Sequence, residues 1–439
     1  MRGFPFLLAL AVAGLAIAVP TVSLESWGSP PDLRFADTDK NIRTKRTVDF
    51  SSEAEKLRGV NIGGWLVLEP WITPSIFQNV DQSLGVVDEL TLCQKLPGQA
   101  PDILRNHWDT FATYDDFAKI KATGFNLVRI PVGFWAYDNK DTAYVQGAAT
   151  YLDAAIDWSH KLGLKVIIDL HGAPGSQNGF DNSGQVMKDP LWMTDGGFYG
   201  GSSQRTLSII SQIAERHANA NGKDAILAIE LLNESRGWTN ATSQDDLRKF
   251  YAEGFNRVRH VTNTSVIIHD AFLHPATYNK FLTPENIVVD HHHYQVFENG
   301  LLYKTPEQHR QFACSSHTLY STADKAVIIG EWTGAMTDCT PHLNGYKQGN
   351  RFEGTWPDST FHGKCAPNHD IKTWSQQMRD DTRAFIEAQM NAFEEHTAGW
   401  VWWNFKTEMA AEWDAFLLMD EGVFPRPVGV RKVDNVCGY

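Results

Sequence analysis

Ile226-Leu-Ala-Ile-Glu-Leu-Leu-Asn-Glu234 is a short apolar run, interrupted once by Glu230, that ends on an adjacent amide and carboxylate. Its length and branched side chains suit a strand buried on both faces, as in a parallel sheet. The same grammar recurs at 59–65, 126–132, 165–170, 265–270, 286–290, 326–330 and 399–403. Helical spacing fills most of the intervals, at 102–123, 151–162, 203–218, 245–261 and 371–396. Eight such βα units predict an α/β fold of the closed (β/α)8 TIM-barrel type. An open doubly wound sheet would carry a Gly-rich phosphate turn after its first strand, and Gly59-Val-Asn-Ile-Gly-Gly64 lacks that spacing. The longest insertions follow Trp65, His171 and Trp332. All three leave strand C-termini, the face on which barrel enzymes build their sites.

The 439-residue chain as a whole fits a globular body, with 42% hydrophobic and 21% charged residues. A net charge of −13 gives no support for nucleic acid as a partner, and 15 Trp, 12 Tyr and 24 Phe offer flat apolar faces of the kind that suit sugar rings. Arg2 and the apolar run 6–19 read as a signal peptide over 1–19, too short to span a bilayer. Residues 20–46 read as a pro-segment ending in the dibasic pair Lys45-Arg46, which leaves 47–439 as a single catalytic domain, secreted and extracellular or wall-associated. No later segment is apolar enough to span a membrane, and a monomer is expected. The expected pairing of the five Cys is Cys314 with Cys437 and Cys339 with Cys365, leaving Cys93 free, although spacing alone does not fix connectivity. Asn240-Ala-Thr242 and Asn263-Thr-Ser265 are glycosylation sequons, whereas Asn233-Glu-Ser235 sits where a site is expected and is discounted.

The strand ends are chemically loaded. Glu69 follows the first run, Arg129 lies on the second, His171 on the third, Asn233 and Glu234 on the fourth, His292 and Tyr294 on the sixth, Glu331 on the seventh and Trp403 on the eighth. A single carboxylate after a strand is most often a solvated loop charge. Two of them on near-opposite staves of one small barrel converge across its mouth. Paired carboxylates are what glycoside hydrolysis needs, one protonating the leaving oxygen and the other attacking the anomeric carbon or activating water. Asn233 supplies an amide for a sugar 2-hydroxyl. Arg129 and Tyr294 are expected to hold Glu331 ionised, as a nucleophile requires, while Glu234 stays protonated as the acid.

The strings Arg58-Gly-Val-Asn-Ile-Gly-Gly-Trp-Leu-Val-Leu-Glu-Pro70, Asp169-Leu-His-Gly-Ala-Pro-Gly-Ser-Gln-Asn-Gly-Phe-Asp-Asn182, Asp290-His-His-His-Tyr-Gln-Val-Phe297 and Gly330-Glu-Trp332 resemble the fungal exo-β-1,3-glucanases of glycoside hydrolase family 5. The resemblance covers essentially all of 47–439. It implies a retaining barrel hydrolase that releases glucose from the non-reducing end of β-1,3-glucans, with transglucosylation as a possible side reaction and no cofactor or metal. Glu234 then matches the acid/base and Glu331 the nucleophile. It further implies Glu69, His171, Asn182, His292 and Trp403 around the terminal glucose, Arg129 and Tyr294 beside the nucleophile, and Asn344 on an enclosing loop. Phe180 and Phe297 resemble an aromatic pair that grips the next glucose at the entrance. Ser235 stands where Pro commonly follows Asn-Glu, and Phe405 where a Trp is common.

Rival readings are weaker. A two-metal hydrolase could draw on His171, Asp290 and His291-His-His293, but consecutive strand residues point to opposite sides, so the three His cannot share one ion. A silent wall-glucan binder would keep the aromatic surfaces and lose a carboxylate, yet both Glu are present. An endo-β-glucanase or a β-1,6-glucanase on the same barrel is the nearest alternative.

Overall fold

Short strands rich in Val and Ile, buried along nearly their whole length, form the expected barrel. They are β1 (Leu57–Asn61), β2 (Leu127–Gly133), β3 (Lys165–Gly172), β4 (Ile226–Glu230), β5 (Ser265–His269), β6 (Ile287–His293), β7 (Ala326–Trp332) and β8 (Gly399–Trp402). All pair in parallel with their sequence neighbours, and β1 also pairs with β8, closing the sheet. The computed structural model describes Phe50 and residues 56–438, apart from 237–241, 284–285, 366–369 and 434–435. The signal peptide, the pro-segment with its dibasic pair, and Asn240 lie outside the described residues. The rest belongs to one compact unit, Arg46–Tyr439.

Two-residue alternation stacks the barrel interior in layers. Leu127, Ile167, Ala228, Ile267, Val288, Ile328 and Val401 fill the lower end with Phe50. Two residues further along the same strands the interior turns polar, with Arg129, Asp169, Glu230, His269, Asp290 and Gly330, all of them buried. Gly330 is required there, because a Cβ would lie 1.9 Å from Asp290 Oδ2. Its backbone N–H donates to Asp290 Oδ1 at 2.6 Å, and its carbonyl accepts from Asn61 Nδ2 at 2.8 Å.

Helices cover the outside, with two departures from the periodicity. The stretch 102–123 is two helices, Ala100–Phe111 and Tyr114–Ala122, because Thr113 and Asp116 form a reciprocal capping box that starts the second. The stretch 371–396 begins as a short 3-10 turn, Ile371–Thr373, and the helix proper, Gln376–His396, starts at the Ser375 cap. That helix fastens the barrel seam: Arg58 of β1 donates from Nε and Nη2 to the two oxygens of Glu394, at 2.8 and 3.0 Å. Between β5 and β6 the only described helical turn is Pro275–Tyr278. Both expected disulfides form, Cys314 with Cys437 and Cys339 with Cys365, and Cys93 is a buried free thiol. No helix among the described residues is long and apolar enough to cross a membrane.

Candidate active site

The polar layer is organised by Arg129, whose guanidinium is fully buried. Its Nε donates to Glu230 Oε2 at 2.7 Å, Nη1 to Glu331 Oε1 at 3.0 Å and to Asn61 Oδ1 at 3.1 Å, and Nη2 to Asn233 Oδ1 at 2.8 Å. Asp169 Oδ2 lies 3.1 Å from Nη2. Burial opposes the charge, but the surrounding carboxylates outweigh it and raise the Arg129 pKa further. One cation thus connects the strand bearing Glu331 with the loop bearing Glu234.

Glu331 lies inside β7 rather than beyond it, and a register irregularity between His291 and His292 sets His292 opposite it. Tyr294 Oη donates to Glu331 Oε2 at 2.9 Å. Glu234 stands past the end of β4 with φ 45°, in the left-handed region that a non-glycine residue adopts at a cost of roughly 1 kcal/mol or more. That turn aims the carboxyl back over the barrel. Asn182 Nδ2 donates to Glu234 Oε2 at 3.0 Å and Asn178 Nδ2 at 3.4 Å, while His292 Nδ1 sits 2.9 Å from Oε1. One oxygen each of Glu234 and Glu331 and a ring nitrogen of His292 lie within 4.8 Å of one another.

The pKa shifts of the two carboxyls run opposite to the directions expected from the sequence. Burial alone would raise Glu234, but hydrogen bonding and charge from His292 override it and bring its pKa down to about 2. Burial raises Glu331 above its ordinary value against the pull of His292 and Arg129. For Glu234 the cause is His292. Burial disfavours its charged form, yet Glu331 and Asp290 raise its pKa well above its ordinary value, which favours the imidazolium. Both shifts favour placing a shared proton on the His292 side of the 2.9 Å hydrogen bond to Glu234.

The other predicted residues surround this pair. His171 is oriented by Asp169, 2.5 Å from its Nδ1, and its ring stacks on Trp403 at 5.5 Å. Glu69 accepts from Trp71 Nε1 at 2.9 Å, its Oε1 is buried without a partner, and its pKa is raised by burial and then by Asp181 and Glu331. Phe180 and Phe297 are exposed. Phe297 packs edge-on against Tyr294 at 5.5 Å. Asn344 is the exception: its amide is consumed within the loop, donating to Asp338 Oδ2 and the Gly349 carbonyl and accepting from Arg351 Nη1 at 2.6 Å. It braces the loop rather than facing the pocket with a free group.

Asp181 escaped the sequence reading although it lies between Phe180 and Asn182. It is buried, Oδ2 has no partner, and burial together with Asp88 lifts its pKa to about 7. Asp169 and Glu230 are further site residues that the strand-end reading does not reach, and Asp290, weighed there only as a metal ligand, instead lies beside Arg129 and His292. Their signal was a carboxylate at an inward position of an otherwise apolar strand. The three adjacent His divide as alternation requires, His292 facing Glu234 while His291 Nδ1 meets Asp270 at 2.6 Å and His293 meets Tyr320 at 3.1 Å. Glu230, Asp290 and His292, like Glu234, His292 and Glu331, are close enough to hold a cation, but Arg129 and His292 already supply positive charge there.

The chain matches the family model "Cellulase (glycosyl hydrolase family 5)" over residues 98–352. It is 45% identical over 404 residues to a glucan 1,3-beta-glucosidase of Blumeria graminis, covering 90% of this chain and 92% of that one. It is 39% identical over 441 residues to a glucan 1,3-beta-glucosidase of Yarrowia lipolytica, covering 98% and 99%. Among solved structures, the rutinosidase from Aspergillus niger superposes with a TM-score of 0.65 at 20% identity, covering 84% of this chain and 98% of the other, which speaks to the fold alone.

Proposed function

The chain belongs to glycosyl hydrolase family 5, and from that premise we propose that it is a glucan exo-1,3-β-glucosidase that removes glucose from the non-reducing end of β-1,3-glucans with retention of configuration. The observation that carries the mechanism is the approach of the Glu234 and Glu331 oxygens to within 4.8 Å. Retaining enzymes hold their carboxyls ~5 Å apart, whereas inverting enzymes need ~6.5–9.5 Å to seat a water between nucleophile and sugar.

Glu331 attacks the anomeric carbon as the bond to the leaving sugar breaks. Glu234 delivers a proton to the departing oxygen, drawn along its hydrogen bond from His292 Nδ1. The resulting glucosyl ester at Glu331 is released when Glu234, now a base, takes a proton from water, or from a sugar hydroxyl if transfer competes. Arg129 and Tyr294 hold Glu331 on line, and Asn233, fixed by Arg129, presents its amide toward the 2-hydroxyl. Glu69, Asp181, His171, Asn182 and Trp403 surround the terminal glucose, the unpartnered oxygens of Glu69 and Asp181 being free to accept from its hydroxyls. Phe180 and Phe297 receive the second ring. The names of the relatives support the β-1,3 preference. Processing at Lys45-Arg46 and an extracellular setting fit a chain with two disulfides.

The test is laminaritriose hydrolysis followed by proton NMR at early times. β-Glucose and laminaribiose as first products support the reading. Initial α-glucose refutes retention, and laminarin degraded to a ladder of oligosaccharides refutes exo action.

A further inference from the structure

Phe180 is anchored to the acid/base from two directions. Its loop is tied to Glu234 through Asn178 and Asn182. Two residues beyond Glu234, Arg236 turns back so that its guanidinium carbon lies 4.5 Å from the Phe180 ring centroid. Arg236 is half-buried, and its Nε is shielded from solvent without a hydrogen-bond partner. Among the described residues, the negative face of the aromatic ring and the nearby charge of Glu234 offset its burial. The guanidinium covers one face of a ring that is otherwise exposed, so it fixes the ring plane and leaves the remaining surface for a ligand.

The geometry points to Arg236 as a specificity-determining, positioning residue of the subsite that holds the leaving sugar and, in the second step, the acceptor sugar. The inference rests on the proposed glucosidase reading. Phe180 offers a sugar only a flat apolar surface, which does not fix orientation unless the ring itself is immobilised. Arg236 immobilises it from the segment that carries Glu234, so ring and acid/base keep one relative placement when the leaving oxygen is protonated and when an acceptor hydroxyl is deprotonated. Arg236 therefore governs how well a sugar competes with water for the glucosyl-enzyme, without touching the reacting atoms.

Three variants separate this from a structural role: Arg236→Ala, Arg236→Met, which keeps length without charge, and Arg236→Lys. Each is assayed on laminaritriose and on β-glucosyl fluoride, whose small leaving group leaves the second subsite empty. The fraction of glucosyl fluoride transferred to added laminaribiose rather than hydrolysed is measured alongside. A partly shielded cation–π contact predicts that Ala and Met lower kcat/KM on laminaritriose by about tenfold. Glucosyl fluoride hydrolysis should change less than about twofold, the transferred fraction should fall, and Lys should restore part of both losses. Equal losses on both substrates, or an unchanged transferred fraction, overturn the assignment. Melting temperatures identify a folding defect. Wild-type turnover of laminaritriose tests the underlying activity separately, since its absence would refute the glucosidase reading whatever Arg236 does.

Discussion

Replacing His292 by Asn removes a charge while keeping a donor, because the Asn amide nitrogen falls close to where imidazole Nδ1 stands. The groups facing His292 are Glu234 at 2.9 Å, Glu331 at 3.4 Å, Asp290 at 3.5 Å from Nε2, and the neutral His269 ring at 4.5 Å. With the imidazolium present, Glu234 is held near a pKa of about 2. Without it, the raising effect of burial is opposed mainly by the Asn182 hydrogen bond, and Glu234 moves back toward its ordinary value of 4.5. A full return from about 2 to 4.5 corresponds to about 3 kcal/mol of lost charge stabilisation at Glu234. In the wild type the pair keeps its shared proton until His292 titrates, well above 6.5, so kcat/KM on laminaritriose should hold to neutral pH before it declines. In the variant Glu234 is the sole carrier. Its alkaline limb should move to ~5, giving a loss of about 30-fold at pH 6.5 and only a few-fold loss at pH 4, since each unit beyond the limb costs tenfold. The stability sign agrees. A raised His pKa contributes stability that is complete below 6.5 and disappears as pH rises through the folded value, so the variant's lower melting temperature at pH 5 should converge on the wild type in alkali. An alkaline limb that stays in place, whatever the overall rate, would refute the proton store at His292.

Three further outcomes can be checked directly. Glu234→Ala should still form the glucosyl-enzyme from an aryl glucoside with a good leaving group, and azide should then accelerate turnover and yield β-glucosyl azide; no azide product would move the acid/base elsewhere. Substituting both Phe180 and Phe297 by Ala should reduce kcat/KM on laminarin oligosaccharides about 10–100-fold with little change on β-glucosyl fluoride or in melting temperature, because stacking energy remote from the bond is used to position the reacting ring. A sharp fall in melting temperature would mean that the rings are core. Glu412, buried with Oε2 unpartnered and lifted by burial to about 8, binds a proton in the fold that the unfolded chain has lost above ~4.5. Stability should thus fall by about 3 kcal/mol between pH 4.5 and 7 on its account, and Glu412→Gln should abolish that slope in urea titrations; an unchanged slope removes Glu412 as its source.

The barrel was legible because strands buried on both faces read as uninterrupted apolar runs, and every predicted run contains its strand or overlaps it. The limits were less so. β6 and β7 extend to His293 and Trp332, since inward polar residues that pair with one another look like a strand's end in a linear reading. The break at Thr113 was available in the spacing Thr-x-x-Asp, but helical periodicity on either side masked it. Convergence of Glu234 and Glu331 followed from topology alone. Their protonation did not, because it depends on which nitrogen of which His lies nearest, a matter of tenths of an ångström. Asn344 shows the same limit: position in a loop is readable, the partners that consume its amide are not.

Closure of the sheet has a consequence for how the protein is made. β1 finds its second neighbour only in β8, and Arg58 meets Glu394, 336 positions later. While the chain emerges, β1 must wait with an unsatisfied backbone edge, and β7 acquires another until β8 joins them. A message interrupted before Gly399 would therefore encode both carboxylates yet deliver an open sheet with two bare edges, a template for aggregation. The last strand to leave the ribosome decides whether any of the preceding chemistry exists.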